Sequence, residues 1–182
     1  MSSVRIDQEK IDRVTRQGMV NGILAIQLVL SREVRRKLSQ PGTGRIYRIG
    51  TGKRKARNLR EQGLHRASAP GQPPAVDTGR LRQSWAIGAI GKGAVINASQ
   101  KFGRGKVQSE QSLASISFQS TPRSISFVYG SNLRYARALE YGSRRNLLPR
   151  PYVRPSIRGV EPQASKIMQL WVRRAFAEAG TK

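Results

Sequence analysis

Thirty-four lysines and arginines stand against ten acids, a net charge of +24 on 182 residues. Charge of one sign on that scale works against a lone compact monomer, because every copy repels itself. The usual remedy is a polyanionic partner: nucleic acid, an acidic protein face or an anionic membrane. No apolar run approaches the roughly 20 residues that span a bilayer. The best amphipathic stretch, Ile11 to Leu38, carries Gly18 and Gly22 inside it. No membrane partner is therefore expected. The hydrophobic share of 37% is low enough that part of the chain must be solvated loop or surface held by a partner. The opening residues, Met1 to Arg5, lack the apolar core of a secretory signal, and the expected place of synthesis and folding is the cytoplasm.

Chemistry is excluded more readily than it is found. The chain has no cysteine and one histidine, so disulfides and thiolate metal sites drop out and a metal site of any kind is not expected. Phosphate-cradling glycine signatures fail: Tyr47 and Gln100 occupy the places where Gly52-Lys53 and Gly105-Lys106 would need a glycine. His65 reads as an exposed loop histidine. The acids form no close pair suited to proton transfer. Glu140, on a short helix, reads as a salt-bridge partner of Arg134 or Arg137. No catalytic residue, no metal and no cofactor is predicted, and the chain is not expected to be an enzyme.

The pattern of apolar positions predicts a single α+β domain: a long N-terminal helix and a C-terminal helix packed on a small antiparallel β-sheet, with long basic loops. The N-terminal helix covers 7–39, with Asp7 as its cap and Arg32, Arg35, Arg36 and Lys37 near its C-terminal end. Residues 40–80 show no periodicity and read as one basic, proline-rich loop. The sheet is expected over 84–130, from candidate strands Ser84 to Ile90 and Ala94 to Ala98, a mobile loop at 99–112, and a hairpin. That hairpin has Ala114, Ile116 and Phe118 facing Ile125, Phe127 and Tyr129 across Thr121-Pro122-Arg123. A short helix at 133–142, capped by Asn132, leads to a proline-rich strap at 149–157. The last helix, 161–179, starts with Pro162 in its first turn and bears an apolar stripe of Ala164, Met168 (or Ile167), Trp171 and Ala175.

The densest charge lies between residues 45 and 66. Arg45, Arg48, Lys53, Arg54, Lys55, Arg57, Arg60 and Arg66 give eight cations against the single acid Glu61. Such a run repels itself unless counterions or a partner neutralise it. Its predicted contact is either nucleic-acid phosphate or an acidic neighbouring subunit. No helix-turn-helix, zinc-finger or aromatic RNA-binding signature accompanies it, so contact with DNA would be to the backbone and indifferent to sequence.

Three segments, in this order, carry a resemblance. They are Gly44 to Arg48 leading to His65 to Ser84, with Pro70-Gly71-Gln72-Pro73-Pro74 and Asp77-Thr78-Gly79 inside it; Val128 to Ala136 with Leu139-Glu140-Tyr141-Gly142-Ser143; and Pro149-Arg150-Pro151-Tyr152-Val153-Arg154-Pro155. Together they resemble the neck, tail-completion and minor tail proteins of long-tailed phages. The resemblance implies a structural virion subunit at the head–tail joint that forms a homo-oligomeric ring, a hexamer by preference, around the DNA channel. Its partners would be neighbouring neck and tail-tube proteins and the genomic DNA. It implies no catalytic residue. The alternative is a free-standing, sequence-independent nucleic-acid binding module. Residues expected to anchor the core or a subunit boundary are Tyr135, Glu140, Tyr141, Pro151, Tyr152 and Arg154. Asp77-Thr78-Gly79 resembles a turn that redirects the chain into the first strand.

Overall fold

The computed structural model describes residues 7–48, 63–76, 79–85, 114–121, 124–143 and 147–180. Helix α1 (Gln8–Lys37) starts where Asp7 accepts a hydrogen bond from the Lys10 amide at 3.0 Å, and Arg35, Arg36 and Lys37 sit at its negative end. Its partner is α4 (Val153–Gly180). Gly18 lies against Trp171, Val172 and Ala175, Gly22 against Met168, and Glu33 near Gly159, so the two helices run antiparallel. A Cβ at Gly18 would stand 2.7 Å from the Val172 Cα, which is closer than any side chain tolerates. The glycines that interrupt the apolar stripe of α1 are thus what lets two helix backbones approach. The expected stripe of α4 faces this contact: Ala164, Met168, Trp171 and Ala175 are all partly buried.

Past the crossing, the core gathers around the C-terminal third of α1. Val34, Leu38, Trp85 and Tyr152 are its buried members, with Leu30, Leu81, Tyr129, Leu139 and Val153 packed around them. The hairpin β3 (Ala114–Ser120) and β4 (Ile125–Ser131) forms as expected, in the register Phe118↔Phe127. On β4, Ile125, Phe127 and Tyr129 are partly buried while Ser126 and Val128 are exposed, the period-two pattern of a half-wet strand. Its turn is tied to α1 by Arg16, which donates to the Thr121 carbonyl oxygen. The α+β architecture with two long helices stands as predicted, with the helices packed primarily on each other.

Several expectations change. Residues 40–80 are not one loop: β1 (Ile46–Arg48) pairs antiparallel with β2 (Leu64–Arg66), so the described strands form two separate two-stranded sheets. Gly44 donates to the Ala67 carbonyl at 2.7 Å, and a Cβ at Gly42 would lie 2.3 Å from the Arg66 oxygen, so glycines admit the ribbon's neighbouring strand. Ser84 and Trp85 begin no strand. They turn out of α2 (Arg80–Gln83), whose N-cap is Gly79 at φ 80, and the hydrophobicity of Trp85 reports core burial. The rest of that candidate strand, Ala94 to Ala98 and the loop 99–112 lie outside the described residues, as do Asp77 and Thr78. Finally, α4 starts at Val153, eight residues before the predicted start, so the strap ends at Tyr152. Pro155 falls in its first turn, where its missing N–H breaks no helical bond, and Pro162 falls in its interior.

Candidate functional site: the α3–α4 junction and its basic faces

Helix α3 (Arg134–Tyr141) follows directly on β4. Its N-cap is Leu133, in extended backbone, and not Asn132 as predicted. The Leu133 amide donates to Ser131 Oγ at 3.3 Å, and Ser131 Oγ donates to Ser84 Oγ at 2.8 Å. Ser84 in turn donates to the Leu81 carbonyl at 2.7 Å, and Ser31 on α1 donates to the Trp85 carbonyl. A relay of small hydroxyls thus fastens α1, α2, β4 and α3 to one another. These serines carry no pattern in the sequence, and Trp85, next to Ser84, is the one neighbouring signal of burial.

At the other end of α3, Gly142 adopts φ 80, and a Cβ there would meet the Leu147 carbonyl oxygen at 2.8 Å. From Leu148 the chain leads to Tyr152 outside any helix or strand. It is held by Ser143 donating to Leu147 (2.9 Å), Arg150 donating to Leu139 (2.7 Å) and Gly71 donating to Pro149 (2.9 Å), all through the backbone. Pro151 is partly buried in this strap.

Glu140 is the residue whose role changes most. It is 6% exposed, and among the described residues it forms no ion pair with Arg134 or Arg137. Its carboxylate accepts the amides of Tyr152 at 2.8 Å, Val153 at 3.0 Å and Arg154 at 3.0 Å. Three donors that a helix start leaves without partners are thereby satisfied by one side chain from another helix. The negative charge also sits at the positive end of the α4 dipole. This cap explains why α4 begins at Val153.

The three tyrosines separate. Tyr152 is 1% exposed, its ring edge-to-face with Trp85 at 6.0 Å, and Trp85 stands in the same relation to Tyr129 at 5.1 Å. Burial, followed by the nearby Glu140 charge, pushes the Tyr152 phenol far above its ordinary range. Tyr135 and Tyr141 do not join the core; they are 43% and 58% exposed. Arg154 places its guanidinium 4.7 Å from the centroid of the Tyr141 ring, so a cation is fixed on the outer side of the same junction. Arg134 and Arg137 are exposed along α3 beside it. The cations split likewise. Arg45, Arg48 and Arg66 stand exposed on the β1–β2 ribbon, where Tyr47 and His65 make an edge-to-face pair at 5.4 Å. His65 is therefore a half-buried strand residue. Lys53, Arg54, Lys55, Arg57 and Arg60 lie outside the described residues. A cavity of about 390 Å³ joins the ribbon to α3, with Tyr47 and His65 on one side and Tyr135, Leu139 and Arg150 on the other.

Among the described residues no group of three histidines, cysteines or acids comes together, and no helix is long and apolar enough to cross a membrane. No protein-family model, no characterised protein and no solved structure matches the chain.

Proposed function

We propose that the chain is a structural subunit of a phage particle at the head–tail joint, assembling as a ring, a hexamer by preference, around the DNA channel. The observation that carries this reading is a charge of +24 presented from braced elements. Arg45, Arg48 and Arg66 project from a paired ribbon, and Arg134, Arg137 and Arg154 from a capped helix junction. Acids offset little of this. Glu33 engages Arg36 at 2.7 Å and Lys37 at 3.5 Å, its carboxyl held below the usual range chiefly by the Arg36 hydrogen bond, while Glu140 is taken up inside as a cap. A subunit so charged reaches a neutral environment by docking against DNA phosphates or an acidic neighbouring ring. The order of its motifs, which resembles that of neck and tail-completion proteins, supplies the place; neighbouring neck and tail-tube proteins are the expected partners and the virion the expected location.

The test is mass measurement of the purified chain by native mass spectrometry, with electron microscopy of the same sample and of particles. Closed rings of one stoichiometry, and the chain present in particles, support the reading. A chain that stays monomeric at every concentration and is absent from particles contradicts it. Monomers that bind DNA tightly would favour the alternative, a free-standing nucleic-acid binding module.

A further inference from the structure

The outer side of α3 carries a concentrated positive charge that the fold does not use. Arg134, Arg137 and Tyr141 follow one another at spacings of three and four residues, so they share one side of the helix. With Ala138 and Gly142 they line one open depression of about 800 Å³, and all three large side chains are exposed. Arg154, exposed at the start of α4, joins them through its contact with the Tyr141 ring. No described acid lines the depression, and among the described residues none of these arginines enters an ion pair. Two exposed apolar side chains border the face. Leu148 stands between Leu147 and Pro149, which lie against Gly142, and Ile157 is one turn past Arg154 on α4. The first acid of α4, Glu161, comes a further turn along.

The make-up of the face selects its partner. Arginine and tyrosine concentrate at the centre of protein interfaces, where lysine is depleted, and no described lysine belongs to this face. Contact with phosphates makes no use of exposed Leu148 and Ile157, whereas a protein interface buries them. Charge fixes the sign of the partner: a guanidinium fork takes a carboxylate in two parallel bonds, and Arg134 and Arg137 both hold theirs in the open. The face is also shaped before any partner arrives. Glu140, on the buried side of α3, ties that helix to the start of α4, so binding orders little backbone. We infer that this face docks an acidic protein surface, whose carboxylates engage Arg134 and Arg137 and whose apolar side chains pack on Tyr141, Leu148 and Ile157. Docking of this kind rests on the proposed neutralisation of the chain by an external polyanion, and it gives this part of the molecule to a protein neighbour and not to DNA.

Fluorescence anisotropy tests it with the full chain and three labelled probes: a peptide alternating glutamate with leucine, a peptide of equal charge with serine in place of leucine, and a duplex DNA. The leucine peptide should bind several-fold more tightly than the serine peptide. Arg134→Gln combined with Arg137→Gln should weaken leucine-peptide binding about tenfold or more, as loss of interface arginines does. Tyr141→Ala should weaken it by a similar factor with the charge unchanged, which keeps the test valid if the arginine pair folds poorly. The control is Arg173→Gln combined with Arg174→Gln, which removes the same charge from exposed positions toward the other end of α4. It should bind the leucine peptide nearly as the parent does, and duplex binding should fall no further in the α3 pair than in this control. Equal affinity for the two peptides, or equal peptide losses in the α3 and control pairs, would overturn the inference by reducing the effect to overall charge. So would a loss of duplex binding in the α3 pair that matches its loss of peptide binding, which would make the face a phosphate surface. Binding of the duplex without the leucine peptide overturns the docking alone, whereas silence from all three probes removes the polyanion reading beneath it.

Discussion

Glu140 ties the start of α4 to the helix before it through three main-chain amides. Replacing it with alanine strands those donors next to the buried Tyr152. An ordinary cap is worth about 1 kcal/mol, and a buried unsatisfied donor costs about 1–3 kcal/mol, so Glu140→Ala should lose about 2–4 kcal/mol in urea denaturation. Glu140→Gln keeps an acceptor oxygen and should lose less. Equal stability of Glu140→Ala and the parent would remove the cap from the account. Tyr152 makes a separate prediction. Its folded-state proton affinity is raised, so its contribution is complete below the unfolded tyrosine value of about 10 and is lost as pH rises beyond it. Tyr129, also raised by burial, acts in the same direction. The denaturation midpoint should therefore fall as pH climbs above about 10, and fall less steeply in Tyr152→Phe; parallel pH profiles for the two proteins would contradict this.

The crossing of α1 and α4 rests on two glycines in different surroundings. A Cβ at Gly18 meets the Val172 main chain at 2.7 Å, whereas one at Gly22 first meets the flexible end of Met168, the sulfur at 2.7 Å. Alanine in a helix gains about 1 kcal/mol over glycine. At Gly22 that gain offsets a small displacement, so Gly22→Ala should be close to neutral. Gly18→Ala must push two backbones apart and should destabilise by about 1–3 kcal/mol. Thermal unfolding of the two variants separates them, and the reverse order would mean that the helices do not cross there. Elements with a local signature were legible in the sequence: α1 from Asp7 and its basic end, the β3–β4 hairpin from alternation, α3 from Gly142. Those set by distant contacts were not. The start of α4 depends on a carboxylate from α3, and the β1–β2 ribbon depends on residues whose pairing spans the cationic stretch. In the candidate site, Tyr152 lies in the core, one of the two places its sequence reading leaves open, while the capping role of Glu140 carries no local pattern and emerges only where the fold brings the start of α4 to it.

For the whole molecule, charge is the governing term. Of the described acids, Asp7 and Glu140 serve as caps and Glu33 pairs with Arg36 and Lys37, so the exposed arginines of the ribbon and of α3 carry a largely uncompensated field. We propose that this field is met by a polyanion, in contacts that read charge and not sequence. The direct measurement is the affinity of the purified chain for two duplex DNAs of unrelated sequence, followed as a function of salt. Both duplexes should bind with equal affinity, and log K should fall steeply and linearly with log salt, with a slope reflecting release of several counterions per chain. A chain that ignores both duplexes at about 50 mM salt, where phosphate contacts are strong, would contradict it.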